Sequence, residues 1–189
     1  MSKIKGALLL EYARLIRDNK DRNWKKYLTE EDLKTINDRI LPNSWYPLEI
    51  YERAGNAIFN EIGQGKFANA WIWGKFVIED LGNRFYHNLV RFQDPAGAVG
   101  KCRTFLSQWF QFDTPDFQAI EVLNISSTKI KVTVRYEHQF PFFEAYVHQL
   151  GGTLERIVEL NGGKETKVTI IEHDWKANNP YAVLQVTWQ

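Results

Sequence analysis

The sequence contains a single cysteine, Cys102. An intramolecular disulfide is therefore impossible and a cluster of zinc-bound thiolates is excluded, since both need several cysteines. Cys102 lies between Lys101 and Arg103, and cations that face a thiol lower its pKa. Consecutive helical residues point to different faces, however, and Cys102 shares an apolar stripe with Val99 and Leu106. We therefore expect a buried, unreactive thiol.

Neither sign of charge is in excess, because 24 Lys and Arg residues are matched by 23 Asp and Glu residues. Proteins that bind nucleic acids through phosphate contacts normally carry a basic surplus or a basic stripe. The densest group of cations, between Lys20 and Lys26, is interrupted by Asp21, and we interpret it as a solvated helix end. Nucleic acid is thus not an expected partner.

Long apolar runs are missing as well. The 7–10 stretch before Glu11 is too short for the core of a signal peptide. No segment approaches the roughly 20 apolar residues that a transmembrane helix needs. We therefore expect no membrane association, and the low cysteine content favours the reducing cytoplasm.

Aromatic residues, in contrast, are abundant: 7 Trp, 8 Tyr and 12 Phe. They fit either a well-filled core or an aromatic-lined pocket or interface. A chain of 189 residues suits one domain whose core needs no metal or disulfide. No repeat or linker divides it, so we expect a single domain over residues 1–189.

The spacing of apolar residues divides this domain into a helical part, residues 1–112, and a mixed part, residues 113–189. In the first part apolar positions such as Ile4, Leu8 and Tyr12 recur every three or four residues. Thr29 and Asp94 are suitable N-terminal caps. Helices are predicted at about 4–16, 30–40, 47–62, 67–81 (or on to 90) and 94–110.

In the second part the period changes to two. Residues 129–136 alternate apolar with polar side chains, which predicts a half-buried strand, and shorter strands are predicted at 119–124, 167–172 and 181–188. One helix is predicted over 142–160, through Gly151 and Gly152. Each glycine lowers helix stability by about 1 kcal/mol relative to Ala, so we expect a close approach to the sheet or to a second subunit there. The predicted class is α+β: a helical layer, then a four-stranded antiparallel sheet with one long helix, in the order ββαββ.

Motifs for catalysis and metal binding are weak. The segment 162–165 resembles a phosphate-binding loop, but Val158 stands where an earlier glycine is required and Glu165 replaces Ser or Thr. The four histidines form no His-x-x-x-His pair, and there is no nucleophile elbow. We expect no catalytic residue, no metal and no cofactor.

The segment from Tyr136 to Tyr146 carries the densest set of polar and aromatic candidates, where a strand gives way to a helix. Tyr136 and His138 point to the same face of the sheet, and Glu137 and Glu144 lie close to them in sequence. If helices cover that face, the pair enters a cavity. Otherwise Tyr136 belongs to the core and His138 to the rim of the sheet.

Several short motifs resemble one superfamily, which joins haem nitric-oxide-binding domains to 4-vinyl-reductase-type small-molecule-binding domains. Three segments resemble the N-terminal half of this superfamily: Lys5-Gly6 before an apolar helix, Trp24 before a second helix, and Trp45-Tyr46-Pro47 before a third helix. The C-terminal ββαββ unit matches too, with Gly151–Glu155 inside its helix and Trp188 closing its last strand. The resemblance is closest to uncharacterised bacterial paralogues of that architecture, and it implies the fold and a ligand-binding role.

The haem ligands of that superfamily are not retained. Its haem-binding members carry a proximal histidine in the helix before the sheet, and the matching segment 94–112 has none. Their Tyr-x-Ser-x-Arg motif, which holds the haem propionates, aligns with residues 136–140. Tyr136 is kept, but His138 replaces Ser and Phe140 replaces Arg, so a bidentate cationic partner is lost. The resemblance therefore implies the fold without haem.

Three functions remain open. The leading hypothesis is a non-enzymatic small-molecule-binding sensor or regulatory domain without haem, whose apolar pocket is lined by Trp109, Tyr136, His138 and Tyr146. An apolar small molecule would be its ligand, and a homodimer or a protein partner is a further expectation. The second is a protein–protein interaction or adaptor module without a ligand pocket. The third is an enzyme that uses Glu137 and His138 as acid–base groups in a closed cleft.

Overall fold

The computed structural model describes residues 1–84 and 93–189. Helices dominate its first part, with three short strands among them. In chain order the elements of this part are β1 (Lys3–Lys5), α1 (Gly6–Asp18), a 3₁₀ turn (Trp24–Lys26), α2 (Glu30–Asn37), β2 (Trp45–Pro47), α3 (Leu48–Glu61), α4 (Phe67–Arg84), α5 (Pro95–Gly100), α6 (Cys102–Trp109) and β3 (Phe110–Gln111).

The three short strands form an antiparallel sheet in the order β2-β1-β3, which the periodicity did not predict. Ile4, expected on the first helix, lies instead in β1, opposite Tyr46 of β2 and Phe110 of β3. Helix α1 begins only at Gly6, where a side chain would overlap the carbonyl of Leu41. This sheet joins the start of the chain to the end of α6.

The capped start of α2 is confirmed, and it also anchors α3. The Thr29 hydroxyl accepts from the Asp32 backbone N–H at 3.1 Å, and Asp32 Oδ2 accepts from the Thr29 N–H at 2.9 Å, a capping box. Arg53 of α3 donates to both carboxylate oxygens of Asp32, at 2.7 and 2.8 Å. Asp32 thus caps one helix and holds a second.

The helix predicted over 94–110 is instead two helices. Asp94 caps α5 as expected, since its side chain accepts from the Gly97 N–H at 3.0 Å. The helix then stops at Gly100, and α6 restarts at Cys102 after a one-residue turn. Glycine has low helix propensity, and the helix breaks after Gly100. The apolar stripe continues across this break, so periodicity alone did not reveal it. The helix predicted over 67–81 is present and reaches Arg84 as α4. The rest of its predicted continuation to residue 90 lies outside the described ranges.

The last part forms the predicted ββαββ unit. It consists of β4 (Ile120–Ser126), β5 (Lys129–Arg135), α7 (Phe143–Leu160), β6 (Lys167–Asp174) and β7 (Tyr181–Thr187). The four strands are antiparallel in the order β4-β5-β7-β6. The alternation along β5 is confirmed: Ile130, Val132 and Val134 are buried, while Lys129, Lys131 and Arg135, which alternate with them, are half-exposed.

Helix α7 runs unbroken through Gly151 and Gly152, as predicted. Its close neighbour, however, is neither the sheet nor a second subunit. A side chain on Gly151 would overlap the ring of Trp71, and one on Gly152 would overlap the Trp71 carbonyl, both on α4. Gly74 of α4 approaches the Gln149 carbonyl just as closely. Small residues on both helices therefore let the two backbones meet.

Candidate functional site

The end of β5 brings two of the predicted site residues onto one carboxylate. The hydroxyl of Tyr136 donates to Glu52 Oε1 at 2.6 Å, and His138 Nε2 lies 3.0 Å from the same oxygen. The two rings meet edge to face, with centroids 5.2 Å apart. Glu52 belongs to α3, so the helical layer covers this end of the sheet and both side chains reach it.

The burial of Glu52 determines the chemistry of this cluster. Burial raises the pKa of Glu52, and the hydrogen bond from Tyr136 and the proximity of His138 oppose that rise only in part. Tyr136 is itself buried, and its pKa is raised well above the ordinary tyrosine value by burial and by Glu52. His138 remains 45% exposed at its side chain. The arrangement therefore satisfies a buried carboxyl group at the rim of the sheet.

Glu137, between the two in sequence, has its partners outside this cluster. It accepts hydrogen bonds from the Ser2 hydroxyl and from the Thr114 backbone N–H. Glu137 and His138, the pair considered for acid–base catalysis, therefore engage different partners. Glu144, which lies close to them in sequence, is in the first turn of α7.

Trp109 and Tyr146 both line a small cavity of about 60 Å³, here called the inner cavity. Tyr146 also contacts Tyr136, with ring centroids 6.3 Å apart. Other side chains around this cavity include the stacked pair Tyr12 and Tyr51, whose centroids are 4.4 Å apart. The fold thus brings Tyr136, His138 and Tyr146 together, and Trp109 shares the lining of the inner cavity with Tyr146. That these four side chains line a ligand pocket remains a prediction.

A larger pocket lies on the helical side, and the sequence did not predict it. This outer pocket has a volume of about 340 Å³ and is formed by α1, α3, α4 and α7. Its lining is Tyr12, Leu15, Gly55, Ile58, Phe59, Ile62, Gly63, Asn69, Ala70, Ile72, Trp73, Phe76, Phe142 and Gln149. None of these described residues is charged, and the volume lies in the range of small-molecule sites.

Small residues on two helices shape the pocket. A side chain on Gly55 of α3 would overlap the ring of Phe142, so this glycine lets Phe142 form part of the wall, and Ala70 near the start of α4 lines the pocket with only a methyl group. At the rim, Ile72 and Phe76 are 65% and 54% exposed. The available signal in the sequence was this pairing of small residues with exposed apolar ones on α4. Periodicity alone assigned such positions to a core.

A second pocket of about 370 Å³ lies on the segment between β3 and β4 and is lined partly by Thr114, Asp116 and Gln118. Its polar loop lining suits a solvated surface depression. We therefore take the outer pocket, walled by four helices, as the candidate functional site.

The remaining candidate ligands form no metal centre. Cys102 is buried, and burial raises its pKa to about 12, so the thiol is protonated at neutral pH. His148 stacks on Phe67 with centroids 4.4 Å apart, and His173 stacks on Trp175 at 4.3 Å. Within residues 1–84 and 93–189, no group of three His, Cys, Asp or Glu side chains could hold a metal ion. His87 lies outside those residues.

Comparison of this architecture with solved structures gives a consistent result. A structure from a study of haem distortion in the H-NOX family superimposes with a TM-score of 0.67 at 11% identity, covering 98% of this chain and 95% of the other. A variant of the T. tengcongensis H-NOX domain gives 0.66 at 11% identity, covering 98% of both chains. An oxygen-binding H-NOX domain related to soluble guanylate cyclases gives 0.61 at 14% identity, covering 98% and 95%.

The chain has the H-NOX fold. No protein-family model matches the sequence, and no curated protein matches it either. At such low identity the structural likeness shows the fold alone. Within the described ranges, no helix is both long and apolar enough to cross a membrane.

The described side chains that align with the propionate motif have partners within the chain itself. The hydroxyl of Tyr136, the retained residue of the propionate motif, is bonded to Glu52. Phe140, where the motif has arginine, is buried against Tyr136 with centroids 4.3 Å apart and supplies no cation. The inner cavity, of about 60 Å³, holds roughly two water-sized groups. Helices α5 and α6 carry no histidine.

Proposed function

We propose that the chain is a non-enzymatic sensor or regulatory domain that binds an apolar small molecule without haem, in the outer pocket. The observation that carries this proposal is an uncharged pocket of about 340 Å³ between four helices of an H-NOX fold. Solved neighbours with this fold are described as haem proteins and as an oxygen-binding domain. Fold analogy alone is a weak argument for function, so the pocket is the main support.

The absence of haem is part of the proposal. A haem needs an axial ligand and partners for its propionates. Here Glu52 takes the Tyr136 hydroxyl, and aromatic rings of Tyr12, Tyr51 and Tyr146 fill the space around the inner cavity. The chain's own side chains then stabilise the fold where a cofactor would otherwise do so.

The chemistry of the outer pocket indicates the ligand class. Transfer of a charged group into an uncharged, apolar pocket is strongly unfavourable. Asn69 and Gln149 are the amides in its lining, and the Asn69 side chain already donates to the Gly63 carbonyl at 3.0 Å. The favoured ligand is therefore neutral and predominantly apolar, with at most one or two polar groups.

A protein-binding role is the second candidate, and one observation favours it. Phe67, Ile72 and Phe76 of α4 are all exposed large apolar residues. Such groups on one helix are typical of an interface with a protein partner or a second copy of the chain. The ligand-binding candidate requires the outer pocket to be open to a small molecule, whereas the protein-binding candidate requires only the exposed apolar residues of α4.

Fluorescence of N-phenyl-1-naphthylamine, which rises when this neutral probe enters an apolar site, tests the proposal. We expect saturable binding by the wild type. Ala70→Phe, which places a ring in the pocket, should weaken binding at least about tenfold, on the order of the free energy of burying one apolar side chain. Ala68→Phe is the matched control, because Ala68 is exposed on the same helix.

Equal loss of binding in both variants, or no saturable binding by the wild type, would contradict the proposal. Native mass spectrometry of the purified protein adds an independent readout, since it shows a retained small molecule and the subunit count together. A haem mass in that spectrum would contradict the haem-free part alone.

A further inference from the structure

The outer pocket and the inner cavity share a wall. Tyr12 of α1 and Gln149 of α7 line both spaces. The Tyr12 hydroxyl donates to Gln149 Oε1 at 2.8 Å, and both residues are buried. One hydrogen bond between two helices therefore separates a large space from a small one.

Other contacts hold this wall in place. The ring of Tyr12 stacks face to face on Tyr51, with an interplanar angle of 3°. Gln149 sits where α7 meets α4, because its backbone carbonyl lies against Gly74 and also accepts from the Thr153 hydroxyl at 3.1 Å. The backbone on which Gln149 stands is thus tightly packed.

Opening the wall is unfavourable in the free protein. Separating Tyr12 from Gln149 would break a buried hydrogen bond and leave both groups to compete for the hydroxyl of Tyr51. An apolar ligand in the outer pocket cannot replace that hydrogen bond. It therefore stops at the wall, short of Trp109 and Tyr146.

We infer that the Tyr12–Gln149 pair determines ligand specificity by setting the greatest length of ligand that the outer pocket accepts. This inference rests on the proposed function and names its ligand class: neutral aliphatic or fused-ring molecules of medium length. Longer molecules of the same class gain no further affinity, because the wall stops the end of the chain. The inner cavity, about 60 Å³, adds room for roughly two more groups the size of a water or a methylene.

The test uses n-alkan-1-ols from hexanol to dodecanol as competitors of N-phenyl-1-naphthylamine. In the wild type, affinity should rise about fourfold per added methylene and then stop rising once the chain fills the outer pocket. Gln149→Ala removes part of the wall, so its affinity should keep rising for about two further carbons, roughly sixteenfold in all. Gln149→Leu retains most of the side-chain volume but loses the hydrogen bond from Tyr12, so opening the wall costs less and its length limit should also lie beyond that of the wild type.

Nuclear Overhauser contacts supply a readout on the wild type that depends on no variant. The terminal methyl group of bound dodecanol should contact Ile58 or Phe76 in the wild type, and Trp109 or Tyr146 only in Gln149→Ala. Contacts with Trp109 and Tyr146 in the wild type, or the same length limit in Gln149→Ala, would overturn the inference alone. A wild type that binds neither probe nor alcohols would overturn the proposed function, and the inference with it.

Discussion

The Tyr136 hydroxyl and the Glu52 carboxylate are 2.6 Å apart. The hydroxyl that the propionate motif would offer to haem is therefore bonded to a carboxylate of the protein itself. We predict that titration with haemin gives only weak, broad absorbance, unchanged by His87→Ala or Cys102→Ala. The thiol of Cys102 is protonated because of burial and is a poor iron ligand. A sharp, stoichiometric Soret band that disappears in either variant would show that the protein binds haem.

The same carboxylate predicts a pH dependence of stability. Burial raises the folded-state pKa of Glu52 above its ordinary value of 4.5. The folded state then holds this proton more tightly than the unfolded state, so stability falls as pH rises from 4.5 through the raised pKa. Glu52→Gln removes this titration, and its stability relative to the wild type should increase over that interval and remain constant above it.

Urea unfolding of both proteins at a series of pH values measures this difference. His138→Gln is the control, because it removes the partly exposed partner of Glu52 and leaves the buried carboxyl group. A constant difference between Glu52→Gln and the wild type at all pH values would mean that Glu52 titrates alike in the folded and unfolded states.

The sequence predicted those parts of the fold in which one residue pattern dominates. Alternation fixed the register of β5, because a shift by one residue would expose Ile130 and Val132. The stripe of α7 predicted a helix through Gly151 and Gly152. The contact predicted for those glycines was wrong, because they meet α4 and not the sheet or a second subunit. Both α4 and the sheet present apolar surfaces, and periodicity does not distinguish between them. The short sheet around Ile4 was missed because two or three residues carry no period.

The candidate site was less predictable, for a physical reason. Tyr136 and His138 lie next to each other because they are two residues apart where the chain leaves β5, and the sequence gives that spacing directly. The hydrogen bond between Tyr12 and Gln149 joins residues 137 positions apart. The outer pocket likewise depends on the combined shapes of four helices. A cavity is the volume that side chains fail to fill, and no local pattern records it.

Asp32 provides a test of the N-terminal layer. Burial raises the pKa of Asp32, but hydrogen bonds from Arg53 and Thr29 outweigh it, so the pKa lies below its ordinary value of 3.8. Asp32 therefore contributes stability above pH 3.8 that is lost as pH falls through the folded-state pKa. Asp32→Ala should destabilise the protein by about 1–3 kcal/mol at neutral pH, with the difference shrinking in acid.

Thermal unfolding at neutral and acid pH checks this prediction. Glu31→Ala is the matched control, because it removes an exposed carboxylate from the same helical turn and should change stability by less than about 0.5 kcal/mol. If Asp32→Ala and Glu31→Ala lose equal stability, the capping box and the Arg53 contact are not what stabilises this layer.

The contact between α4 and α7 gives the last prediction. A side chain on Gly152 would overlap the backbone carbonyl of Trp71, which cannot move without displacing α4. Gly152→Leu should therefore destabilise the protein by about 1–3 kcal/mol through overpacking, even though leucine favours helix formation more than glycine does. Gly100→Leu is the control, since a Cβ at Gly100 meets no atom within 4 Å. Urea unfolding should show a lower midpoint for Gly152→Leu only. Because α7 also carries Gln149, a displaced α7 should weaken N-phenyl-1-naphthylamine binding in the same variant. An unchanged midpoint with unchanged probe binding would mean that the two backbones do not meet at this glycine.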